Sequence, residues 1–160
     1  MASTTFSGPV TSTAGFISGS GSLVSVTANV TLTSATHAGR TMVFDVASGA
    51  TVTLPAASGT GNVYKFFVKP TVTSNSYKIQ VASGDDTMAG VAIVANDSDN
   101  SASIFETAAA SDTITLDGTT TGVFLGGTIE IQDVASNIFS VVTRGAATGS
   151  EATPFSAAVS

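Results

Sequence analysis

Val63-Tyr64-Lys65-Phe66-Phe67-Val68-Lys69 is the clearest run in a chain of 160 residues. Extended, it puts Tyr64, Phe66 and Val68 on one side and sets Lys65 and Lys69 either side of Phe67 on the other. The flanking runs keep the period of two. Leu23 to Leu32 alternates, as does Thr41 to Val46. Thr51 to Leu54 is stopped by Pro55, which has no N–H for a ladder. Tyr77, Ile79 and Val81 alternate with Lys78 and Gln80, Ile129 and Ile131 with Glu130 and Gln132, and Asn137 to Thr143 closes the series. Turn formers separate the runs at Ser48-Gly49, Ser58-Gly59-Thr60-Gly61, Ser83-Gly84-Asp85-Asp86, Asp97-Ser98-Asp99-Asn100, Asp117-Gly118 and Gly126-Gly127. Only Ser34 to Gly39 suits a helical turn, with Ser34 or Thr36 as cap and Gly39 as stop.

About ten short strands at this spacing predict an all-β domain, a β-sandwich or jelly-roll-like fold. Its core should hold Tyr64, Phe66, Val68, Ile79, Val81, Ile129 and Ile131. Val30-Thr31-Leu32, Val52-Thr53-Leu54 and Ile114-Thr115-Leu116 repeat a strand-end triplet. Their unequal intervals argue against a solenoid, and strand composition accounts for them.

The sandwich is expected over residues 23–145, with an extended N-terminal arm over 1–22 and a C-terminal tail over 146–160. The first segment is rich in Gly, Ser and Thr, yet contains Phe6, Pro9, Val10, Phe16 and Ile17. A pure linker needs no such anchors. Fully extended it reaches at most about 75 Å, enough to cross a neighbouring subunit. Pro154 and Phe155 punctuate the small-residue tail. The expected arm anchors are Phe6, Pro9, Phe16, Ile17, Pro154 and Phe155.

Composition points the same way. Charged residues make up 10% of the chain, against about 25% in ordinary domains, while mean hydropathy is +0.39. So few charges suit a surface covered by a partner. Residues 1–39 contain no Lys, Arg, Asp or Glu, and beyond Arg144 only Glu151 is charged. Net charge is −6 with five basic residues, which argues against nucleic acid and anionic membranes as partners. The apolar run Ala89 to Ala95 is far short of a membrane span. The first residues lack the basic and apolar regions of a secretory signal, so synthesis and assembly are expected in the cytoplasm.

The chemical inventory is sparse. There is no cysteine, no tryptophan and one histidine, His37. No G-x-S-x-G pattern accompanies it, and zinc needs several His or Cys ligands. Asp97-Ser98-Asp99-Asn100-Ser101 has calcium-loop spacing, but Ala102 and Ala108 stand where an EF-hand needs Gly and Glu. Asp45, Glu106 and Glu130 lie on predicted strands, without a tryptophan to build a sugar groove. The glycosylation sequons Asn29-Val30-Thr31 and Asn96-Asp97-Ser98 are expected to be unused without export. The expectation is therefore a protein that is not an enzyme, with no catalytic residue, cofactor or metal.

From Gly39 to about Arg144 the chain resembles a module of tailed-bacteriophage virion proteins. The resemblance rests on Gly39…Phe44-Asp45, Gly49-Ala50-Thr51-Val52-Thr53-Leu54-Pro55, Tyr64-Lys65-Phe66 and Ser83-Gly84-Asp85-Asp86-Thr87-Met88-Ala89-Gly90. Ile114-Thr115-Leu116-Asp117-Gly118 and Gly126-Gly127-Thr128-Ile129-Glu130-Ile131 follow in order. Fibre versions often end in a Trp strand; Asn137-Ile138-Phe139-Ser140 takes that place here. The resemblance implies a small β-sandwich without catalytic residues. A single module with its own Met1 and terminal arms resembles a capsid decoration (cement) protein more than a fibre. That family implies a homotrimer bound to the major capsid protein on the head surface of the virion, made in the bacterial host cytoplasm. A tail-fibre, tail-adaptor or receptor-binding module is the alternative.

Overall fold

A computed structural model describes residues 23–122 and 124–159, together with Ser7. The chain is an all-β sandwich of two mixed sheets. Its strands are β1 (Leu23–Val26), β2 (Val30–Thr31), β3 (Thr41–Phe44), β4 (Ala50–Thr53), β5 (Val63–Val68) and β6 (Tyr77–Gln80). They continue as β7 (Thr87–Ala95), β8 (Ala102–Glu106), β9 (Thr113–Leu116), β10 (Thr128–Ala135), β11 (Ile138–Ala146) and β12 (Phe155–Ser156). One helical turn, α1 (Ser34–His37), lies between β2 and β3. The larger sheet has the order β1-β3-β5-β10-β11-β7-β8 and the smaller β12-β9-β6-β4-β2.

The first half of the chain winds between the sheets. β1, β3 and β5 stack in parallel in the larger sheet; β2, β4 and β6 stack in parallel in the smaller. Each turn of this coil places one strand in each sheet. The triplets Val30-Thr31-Leu32 and Val52-Thr53-Leu54 are therefore a spatial repeat, correcting the compositional explanation for those two. Val30 pairs Val52 and Thr31 pairs Thr53. The Leu32 amide donates to the Thr53 carbonyl, and the Leu54 amide to the Gln80 carbonyl. Ile114 joins the same row from an antiparallel strand, opposite Ile79. Loop lengths differ between turns, which hides the repeat from a search for a fixed period. Parallel and antiparallel ladders together set the sandwich apart from an all-antiparallel jelly roll.

Leu23 to Leu32, expected as one strand, is two, because the chain leaves the larger sheet after Val26 and enters the smaller at Val30. Asn29 stabilises the corner by accepting the Thr51 amide at 2.8 Å. The cap of α1 also differs from expectation. Thr33 is the N-cap and makes no side-chain cap bond; His37 Nδ1 accepts the Thr33 amide at 3.0 Å instead. Gly39 ends the turn at φ +73°, a conformation without steric cost for glycine.

Inward-facing residues form continuous rows. One runs Val24–Met42–Phe66–Ile129–Thr143–Ala92–Phe105 across all seven strands of the larger sheet. The seven residues expected in the core are all buried. The Phe44 and Tyr77 rings stack at 4.4 Å between the sheets, and the Tyr77 hydroxyl lies 2.8 Å from the Val46 carbonyl and 2.9 Å from that of Pro70. Gly90 permits the tightest approach: a Cβ there would lie 1.8 Å from the Val141 carbonyl oxygen.

The end of the chain corrects the expected tail. β11 extends to Ala146, and the Ala147 amide donates to Ala95. Pro154 is buried, and Phe155 is 7% exposed in β12, opposite Ile114. Both serve this chain's own core and smaller sheet rather than a free C-terminal arm. Burial of a phenylalanine favours that seat by about 2 kcal/mol. The buried Asp112 carboxylate completes it by accepting the Ala158 and Val159 amides at 2.8 and 3.2 Å.

Candidate interaction surface

Most of the carboxylates have structural partners. Asp133 is buried in β10 and accepts the amides of Ser58, Gly59 and Thr60 and the Thr60 hydroxyl at 2.6–3.0 Å. Burial pushes its carboxyl up, but the donors of Thr60, Gly59 and Ser58 outweigh burial and hold it below the usual carboxylate range. Asp117 is set by the same competition, with Thr119 and Thr121 donating. Asp86 accepts the Ala57 amide. In the β7–β8 turn, Asp99 accepts from Ser101, and Asp97 accepts the Gly149 amide at 3.3 Å. Among the described residues no three His, Cys, Asp or Glu side chains cluster as a metal site.

Asp45 pairs with Lys69 at 2.8 Å, and Glu130 with Lys65 at 3.4 Å. Glu106 shares a cross-strand row with Glu130 but stands three strands away, through Val142 and Val91. Three strand spacings are about 14 Å, wider than the roughly 5–9.5 Å of glycosidase carboxylate pairs. His37 closes its own helical turn.

A polar depression of about 410 Å³ lies beside the smaller sheet, between Asn29, Thr51, Asn75 and Lys78. Its amide side chains bond the backbone: Asn29 holds the Thr51 amide, and Asn75 donates to the Ser48 carbonyl.

The outer face of the larger sheet is different. One outward row runs Ser25–Val43–Phe67–Thr128–Arg144–Ile93–Ile104. The next runs Leu23–Thr41–Lys65–Glu130–Val142–Val91–Glu106. Leu23 is 64% exposed, Ile93 37% and Ile104 65%; Val43, Phe67, Val91 and Val142 are half-buried. A depression of about 250 Å³ has Phe67 and Ile129 in its lining and Lys65, Glu130 and Arg144 beside them. Aromatic and arginine residues among aliphatic ones are the composition of interface centres. At the edges, β1 and β8 each have a free side among the described residues, the place where sheets pair with further chain.

Of the expected anchors, Phe6, Pro9, Phe16 and Ile17 lie outside the described residues, and Pro154 and Phe155 are internal. Sequence reasoning did not single out Val43, Ile93, Ile104 and Arg144. The available signal was Phe67, an aromatic ring on the charged side of the clearest strand. Comparisons with protein-family models, with curated proteins and with solved structures return no match.

Proposed function

We propose that the chain is a structural protein of a tailed-bacteriophage virion, a capsid decoration protein that binds the outside of the head and stabilises it as a homo-oligomer, a trimer in this reading. The outer face of the larger sheet, where the exposed Leu23, Ile93 and Ile104 stand beside half-buried Val43, Phe67, Val91 and Val142, carries the proposal. It supplies aliphatic contact area, and its charges, Lys65 and Arg144 against Glu106 and Glu130, cancel. The order of motifs from Gly39 to Arg144 supports the phage assignment. Carboxylates engaged in holding loops fit a scaffold more than a hydrolase. The uncharged segment 1–22 joins the domain at the edge strand β1 and suits an arm laid on a neighbouring subunit.

Copy number in purified particles tests this reading. A decoration protein is present in hundreds of copies on the head; roughly three to eighteen copies at the tail would replace the reading with a tail module. In a reconstitution with undecorated heads, Phe6→Ala combined with Phe16→Ala should weaken binding at least tenfold, while the circular dichroism of the sandwich is unchanged. Undiminished binding would remove the arm from the proposal.

A further inference from the structure

We infer that the outer face of the larger sheet is the surface through which copies of this chain associate. The inference rests on the self-association in the proposed function, not on the capsid or on the trimer, and gives that association two-fold symmetry. Charge is its first support. The face carries Lys65 and Arg144 against Glu106 and Glu130, a net charge of zero. The adjoining Lys69–Asp45 pair also cancels. The eight acids and two bases elsewhere account for the whole −6. Two copies therefore repel each other over most orientations and meet without repulsion through this face. Both signs on one patch also make it self-complementary, as a two-fold pair of identical subunits requires.

Area is the second support. Seven strands about 4.8 Å apart, averaging about six residues at 3.3 Å each, make a face on the order of 700 Å². Two such faces in contact bury about 1,400 Å², inside the range of stable specific interfaces. The exposed side chains of Ile93 and Ile104 lie on one row of this face, with Arg144 next to them and unpaired among the described residues. An aliphatic patch beside an arginine is suited to an interface centre.

The full-length chain tests the inference by sedimentation at micromolar concentration. The wild type should sediment above 15.8 kDa, at about 32 kDa for two copies joined face to face, twice the chain mass. Ile93→Asp combined with Ile104→Asp should give the monomer with an unchanged circular dichroism spectrum. Arg144→Glu alone and Glu106→Arg alone unbalance the face and should each weaken association at least tenfold. Combined, they restore the balance and should recover most of the loss. That rescue separates this face from an N-terminal arm as the occupant, because the arm bears no charged side chain and would not respond to the swap. A monomeric wild type overturns the inference, as do isoleucine variants that stay associated or charge variants without rescue. Reconstitution with undecorated heads keeps the two readings apart: a monomeric wild type that still binds heads overturns this inference and leaves the decoration role standing.

Discussion

Asp133 shows how single side chains fix the loops of this sandwich. One carboxylate holds three successive amides and a hydroxyl of the segment Ser58–Thr60. Its folded-state pKa lies below the unfolded value. The stabilisation is therefore complete above the ordinary carboxylate pKa near 4 and disappears as pH falls through the lower folded value. Asp117 adds a contribution of the same sign. Thermal unfolding should drop steeply below about pH 4. Asp133→Asn should cost about 1–3 kcal/mol at pH 7 and flatten the acid limb; a variant with the wild-type profile would refute the assignment. Thr143 makes the opposite case. Its hydroxyl is buried among Ile129 and Ala92 and has no partner among the described residues. Thr143→Val keeps the shape and removes the desolvated group, so urea unfolding should show a gain of about 1 kcal/mol; a loss of that size would reveal a bond to the hydroxyl. The clearest strand disclosed the inward direction of Tyr64, Phe66 and Val68 through periodicity alone. The role of Asp133 was not legible, because its loop partners lie more than seventy positions away.

At the scale of elements, alternation identified most strands, since a half-buried strand writes its two faces directly into the sequence. β7 was obscured because Ala89 to Ala95 is nearly uniform in polarity, although Val91 and Ile93 face outward and Ala92 and Val94 face the core. β12 was obscured for a different reason. Two residues are too few to show a period, and what places them is tertiary: the Phe155 pocket and the Asp112 carboxylate. Asp112→Ala should release the last turn of this clamp. In hydrogen exchange, the amides of Ala158 and Val159 should lose protection by at least tenfold, while the Ile79 and Leu116 amides, on inner strands, keep theirs. Equal protection in the variant would mean that β12 holds the end without the carboxylate.

For the whole molecule, the charge deficit is most complete at the N-terminal end, and the outer sheet face adds a balanced surface to that picture. Composition led to the expectation of a covered surface without placing one on this sheet, because which way Phe67 faces depends on the strands that lie beside it. Pairing across the chain was equally hidden: no local pattern says that β11 sits between β10 and β7. That position has a consequence for a protein made from its N-terminus. The β7–β8 hairpin segment is synthesised before the strand that seats it in the sheet. The hairpin must wait for Ile138 onward before it can dock. A stop codon at Ile138 would therefore not trim an edge of the sheet; it would take out an inner stave and leave the hairpin with nothing to lean on.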